Sequence, residues 1–152
     1  MSAIYEKILA DLKDAMRNKD TQRLQVLRSL KSKILEREIS ERKGGDVTLS
    51  DEQVQQVLMK SAKQRKESIS QYKDAGRTDL AQTEEYELGI IEAYLPEMLS
   101  EDEIRDIVKN VIDKIGASSK SDMGKVMGTL MPRVKGKADG SVVNRIVREL
   151  LD

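Results

Sequence analysis

Along this chain the apolar residues recur in seven runs at the three-to-four-residue spacing of a single helical face, and that period restricts the fold more than any other feature. The first run is Ile4, Tyr5, Ile8, Leu9, Leu12, Ala15 and Met16, and the second is Leu24, Leu27, Leu30, Ile34 and Ile39. The third is Val54, Val57, Leu58, Ala62, Ile69 and Tyr72, and the fourth Leu80, Leu88, Ile91, Tyr94 and Leu95. Shorter runs follow: Ile104 to Ile115, then Met123, Val126, Met127, Leu130 and Met131, then Val142, Val143, Ile146, Val147 and Leu150. The reading is an all-α protein.

Stops and starts between the runs sharpen the boundaries. Gly44-Gly45 breaks the second run, and Gly76 is placed to end the third. Ser50 and Gln53 have the spacing of a capping box, with Leu49 and Val54 as its hydrophobic staple; Leu99, Ser100, Glu103 and Ile104 repeat that grammar. Thr78 is expected to cap the fourth helix and Pro96 to end it. Pro132 is expected to end the sixth helix, because it lacks an N–H and biases Met131 away from helical geometry. Helices of about ten residues are marginal alone. The three after Pro96 must therefore pack on one another, so the expected organisation is an N-terminal four-helix unit over 1–96 and a small C-terminal three-helix bundle over 97–152.

Composition narrows the chemistry. Cysteine and histidine are both absent. That removes disulfides, thiol nucleophiles, Ser-His-Asp and Cys-His machinery and ordinary zinc sites together. Phe and Trp are missing too, which leaves Tyr5, Tyr72, Tyr86 and Tyr94 as the only aromatics around an aliphatic core. No run approaches the ~20 apolar residues of a membrane span, and the start MSAIYEKILADLKD lacks the basic-then-apolar pattern of a targeting segment. A soluble, cytoplasmic protein is the expectation.

Charged residues are 36% of the chain and cancel to a formal net charge of zero, but they are unevenly placed. Between Arg17 and Lys43 basic residues outnumber acidic ones, which on a helix reads first as a solvated, salt-paired face. The carboxylates Glu84, Glu85, Glu87 and Glu92 are expected to pair with that basic second helix. A second surplus lies from Lys120 to Arg148, where Lys120, Lys125, Arg133, Lys135, Lys137, Arg145 and Arg148 face only Asp122 and Asp139. Its centre is the loop Arg133-Val-Lys-Gly-Lys-Ala-Asp-Gly140, which leads into the last helix. Two readings of that loop stand side by side. Free N–H groups at a helix start, beside lysines, favour a phosphate; alternatively Asp139 or Ser141 is an ordinary cap that already occupies those donors.

Other motifs do not hold. Gly124-Lys125 lacks the upstream glycine and the following Ser/Thr of a phosphate loop, and falls inside a helix. Gly124 and Gly128, four apart, are better explained by close approach of a neighbouring helix. Ser118, Ser119 and Ser121 read as turn and capping residues.

Tyr94-Leu-Pro-Glu-Met-Leu-Ser-Glu-Asp-Glu103, Ser121-Asp-Met-Gly-Lys-Val-Met-Gly128, Lys135-Gly-Lys-Ala-Asp-Gly140 and, upstream, Ala75-Gly-Arg-Thr-Asp-Leu80 together resemble the YqeY-like family, which carries the GatB/YqeY domain. The C-terminal part resembles the tail domain of the B subunit of the amidotransferases that make glutaminyl- and asparaginyl-tRNA. The resemblance implies an all-helical protein with an N-terminal helical domain and a three-helix C-terminal domain. In the amidotransferase that tail helps hold the tRNA, while amide transfer from glutamine takes place in another domain and subunit. A carbon–nitrogen ligase label with glutamine as amide donor therefore attaches here by association. No catalytic, cofactor-binding or metal residue is singled out.

Three functions are weighed. The leading one is an accessory module for tRNA or other structured RNA, with Lys135, Lys137 and Arg133 on phosphate, helped by Lys120, Lys125, Arg145 and Arg148. With so few aromatics, recognition would be by backbone and shape. The rival is a protein-interaction module docking on a synthetase, amidotransferase or other enzyme, a reading that suits zero net charge. An enzyme using Glu and Lys with a metal ranks last.

Overall fold

The computed structural model describes residues 1–151. It contains seven α-helices and one 3-10 turn, with no strand among the described residues. The chain divides into two compact units, Met1–Leu95 and Pro96–Asp152, and each builds its own core.

The first unit holds α1 (Ala3–Arg17), α2 (Thr21–Glu41), α3 (Asp51–Asp74) and α4 (Thr78–Glu92). Its core is aliphatic, centred on Ile8, Leu27, Leu30, Ile34, Leu58 and Ile91, all essentially solvent-free. Ser50 and Gln53 form the reciprocal capping box expected of them, and Leu49 and Val54 are both buried beneath it. Ser2 caps α1 by accepting from the Tyr5 amide at 3.2 Å, and its own hydroxyl donates to Asp51 at the start of α3. That bond, together with the Ile4 amide, holds the Asp51 carboxyl below the usual range.

Details differ from the sequence expectation where charge or a turn intervenes. Thr78 is the first helical residue of α4 and not its cap; Arg77 holds the cap position without a side-chain bond to the helix. The reason is local: Gly76 turns the chain at φ +70°, and Arg77 is drawn into a paired contact with Asp79 at 3.2 Å. Glu84, Glu85 and Glu87 form their close ion pairs with α3, and toward α2 Glu84 and Glu87 act on Lys33 only through their charge. Arg65 meets Glu84 at 3.0 Å and Glu87 at 2.7 Å, and Lys73 meets Glu85 at 2.9 Å. An antiparallel hairpin with a three-residue connection puts these side chains face to face. On α2, Lys33 turns inward and donates to the buried Ser61 hydroxyl at 3.2 Å. Burial first, and the nearby Arg65 second, push its pKa down. Met16 and Ile39, assigned to apolar faces by period, are exposed, as is Leu35.

The second unit holds α5 (Glu101–Ile115), α6 (Met123–Val134) and α7 (Gly140–Leu150) around Val108, Val111, Val126, Leu130, Val143, Ile146 and Val147. Ser100 caps α5 by accepting from the Glu103 amide at 3.2 Å, and Gly116 ends it in the left-handed region. The turn before α6 is stitched by Asp122, whose carboxylate accepts from the Ser118 and Ser119 amides at 3.0 and 3.4 Å. Pro132 does not end α6, which continues to Val134. A proline in the last turn deprives only the Gly128 carbonyl of a donor, while two further residues place Val134, 1% exposed, in the core. Gly124 and Gly128 are not a packing seam: a Cβ built on either meets nothing within 4 Å. They lie on the exposed face of α6 with Lys125, Thr129, Pro132 and Arg133.

Candidate nucleic-acid interface

The basic loop is a tight turn, not a loose connection. The Lys137 amide donates to the Val134 carbonyl at 2.9 Å, closing a four-residue turn over Lys135 and Gly136. Lys135 sits at φ −58°, ψ 127° and Gly136 at φ +78°, the two central conformations of a type II turn. A glycine is required at the second of these positions because a side chain would meet its own backbone. Two anchors then fix the exit. The Lys137 carbonyl accepts from the Leu99 amide at 2.8 Å, and Ala138, 8% exposed, inserts into the core. Lys135 and Lys137, on either side of Gly136, are both exposed.

At the start of α7 the plainer of the two sequence readings holds. Asp139 is the N-cap, and its carboxylate accepts from both the amide and the hydroxyl of Ser141 at 2.9 Å. An anion approaching that helix end would meet a carboxylate already seated on its donors. The helix terminus therefore does not supply a phosphate site, and any anion contact falls to the lysine side chains.

The seven basic residues picked out from sequence differ in how far they are engaged. Arg145 is occupied: it pairs with Glu101 of α5 and with Glu149 one turn along α7 at 3.2 Å, and Arg105 joins the same Glu149. These bonds, with Arg105 foremost, hold the Glu149 carboxyl below the usual range. Arg133 donates to the Asn110 side chain at 3.1 Å, a neutral partner that leaves its charge uncancelled. Lys125 is near enough to Asp122 to add to the depression of that carboxyl, which the Ser118 and Ser119 amides dominate. Lys120 and Lys135 are exposed and carry contacts of their own. Lys137 and Arg148 make no salt bridge within the described residues. The exposed edge of α6 thus leads, through Lys125 and Arg133, into the turn that bears Lys135 and Lys137.

Two further contributors were not singled out as such from sequence. Leu99 acts through its backbone amide, which no side-chain pattern reveals. Ala138 was legible in principle as the one apolar residue between Lys137 and Asp139. Among the described residues no cluster of acidic side chains is grouped to hold a metal ion, and no helix is long and apolar enough to cross a membrane.

These features define an all-helical module of two compact units, whose most distinctive surface element is a rigid lysine-bearing turn. The chain belongs to the YqeY-like family, whose model matches residues 5–151. It is 28% identical over 153 residues to "Altered inheritance of mitochondria protein 41, mitochondrial" of Pyrenophora tritici-repentis, covering 99% of this chain and 82% of that protein. The protein of the same name in Meyerozyma guilliermondii is 31% identical over 157 residues, with 99% and 79% covered. A shorter match is denser: 45% identity over 56 residues to the E subunit of the glutamyl-tRNA(Gln) amidotransferase of Methanobrevibacter smithii, covering 34% of this chain but only 9% of that protein.

Proposed function

We propose that this protein is an accessory module that holds tRNA or another structured RNA by its phosphate backbone, through the C-terminal unit. The observation that carries this reading is the pinned type II turn, which presents Lys135 and Lys137 to solvent at fixed positions beside Arg133. Rigid presentation matters because a lysine on a mobile loop loses more entropy when it engages a phosphate. The short match to an amidotransferase component supports the same direction. In this reading the two compact units are separate domains, and the smaller one corresponds to the amidotransferase tail. Carbon–nitrogen ligase chemistry would belong to other domains and subunits of such an assembly.

Lys120, Lys125 and Arg148 extend the contact, and Arg145 is set aside because Glu101 and Glu149 already hold it. Filter binding or gel shift against bulk tRNA tests the proposal directly: retention at low salt that falls steeply as salt rises is expected. No retention at low salt would remove it. The cytoplasm is the compartment proposed, whereas the fungal relatives carry "mitochondrial" in their names; fractionation of cells expressing the native protein decides.

A second reading, docking on a synthetase, amidotransferase or other enzyme, is favoured by one observation. Leu35 and Ile39 lie one turn apart on α2 and are 38% and 61% exposed. Affinity capture before and after RNase treatment separates the two, because a protein partner persists when RNA is digested.

A further inference from the structure

Within the first unit, α1, the start of α2 and the second half of α4 enclose an open groove of about 600 Å³. Along α4 it is lined by Tyr86, Gly89, Ile90 and Ala93, which at this spacing share one helical face. Nothing lies within 4 Å of the position a Cβ would take on Gly89, so the floor is bare helix backbone. A glycine in the middle of a helix weakens it. Here no neighbouring element of the protein needs the space it leaves.

The groove is also charged, with two cations, Lys7 and Arg23, and two carboxylates, Asp11 and Glu85, both of which are engaged by other side chains. Asp11 accepts from the Tyr94 hydroxyl at 2.5 Å and faces Arg23 at 3.7 Å. Glu85, the other carboxylate of the groove, is held by Lys73 at 2.9 Å. Lys7 pairs with no carboxylate among the described residues; its ammonium stands 5.7 Å from the centre of the Tyr94 ring. Tyr86 is 39% exposed at the rim. The groove therefore combines an ammonium in no salt bridge among the described residues, further N–H donors on Arg23, and an aromatic and apolar floor, in a volume common for small-ligand sites.

We infer that this groove binds a single nucleotide unit, its base laid against Tyr86 and the open backbone at Gly89 and its phosphate directed to Lys7 and Arg23. Base stacking on an aromatic ring and charge-assisted contacts to phosphate are the two interactions those residues provide. A free mononucleotide and the unpaired terminal nucleotide of an RNA share this chemistry. The site is built wholly from the first unit and is independent of the Lys135 turn.

Amide-resolved NMR of the full chain, titrated with adenosine 5′-monophosphate, tests it. Saturable shifts are expected at Lys7, Asp11, Tyr86, Gly89 and Ala93, with adenosine and inorganic phosphate each binding at least about fivefold more weakly. Lys7→Ala, at an exposed position, should leave the spectrum of the free protein intact and weaken the mononucleotide by about three- to tenfold. Gly89→Leu should abolish the shifts by filling the floor. A single-stranded trinucleotide that binds the same amides at least about tenfold more tightly assigns the site to an RNA end; equal affinity assigns it to a free nucleotide. No saturable shift at these amides with either probe, or affinities unchanged by Lys7→Ala, would overturn the inference.

Discussion

The backbone amide of Leu99 donates to the carbonyl of Lys137 at 2.8 Å, tying the segment that precedes α5 to the turn that precedes α7. The turn is thereby held at its exit by a bond from a residue 38 positions upstream (137 − 99), in addition to its own closing bond. Lys135 and Lys137 are exposed on a turn held by backbone bonds, so replacing their side chains leaves those bonds in place.

Replacing both lysines by Ala should weaken RNA binding for all sequences alike. If each contacts one phosphate, each should lower the log–log salt slope by about 0.7 to 0.9. Stability should change by less than about 0.5 kcal/mol per site, since neither side chain packs on the core. Arg145→Ala is the contrasting variant: its partners Glu101 and Glu149 are internal, so RNA affinity should change little. Binding isotherms at three or more salt concentrations distinguish these outcomes.

Gly136→Val should destabilise the C-terminal unit by about 1–3 kcal/mol, because φ +78° is a conformation β-branched residues avoid. Gly140→Ala should be nearly silent by comparison. Gly140 opens α7 without a positive φ, and an added Cβ meets nothing within 4 Å. Thermal unfolding of the two variants measures the difference.

Gly124→Ala and Gly128→Ala should each stabilise the protein, by up to about 1 kcal/mol for Gly128 in the interior of α6 and by less for Gly124 in its first turn, because both have open space beside them. If the exposed edge of α6 lies along an RNA backbone, the same methyl groups should reduce RNA affinity while raising the melting temperature. Opposite signs in the two measurements would mark that edge as a contact surface.

Tyr94 gives a pH signature. Burial, then the hydrogen bond and negative charge of Asp11, raise the pKa of its phenol well above the ordinary value near 10. Because the folded state holds this proton more tightly than the unfolded chain, the associated stability is complete below about pH 10 and is lost as pH rises beyond it. Tyr94→Phe should flatten that alkaline decline, which chemical denaturation at pH 8 and above would reveal.

Helical period alone located all seven helices, because an aliphatic chain without Phe or Trp has few other ways to mark an inward face. It did less well at helix ends. Pro132 carries a stop signal that the burial of Val134 overrides, and Thr78 carries a cap signal that the Gly76 turn pre-empts. The seven cations of the candidate interface were visible as composition, but of the two carboxylates that hold Arg145 only Glu149, four residues on, is within reach of a local pattern; Glu101 lies 44 positions away. The Tyr94–Asp11 bond, 83 positions apart, left no trace in either local pattern, and with it the groove beside Gly89 stayed hidden.

The connection between α3 and α4 is only Ala75, Gly76 and Arg77, and its consequence lies in the order of assembly. Closing so short a link loses little chain entropy, and Arg65 can find Glu84 and Glu87 within a single hairpin. This hairpin, like the equally short-linked pair α1 and α2, is therefore expected to form early, on the microsecond scale of local helical structure. Asp11 and Tyr94 meet only when α1 has docked against the far end of α4, so the groove they border is completed late in the folding of its unit.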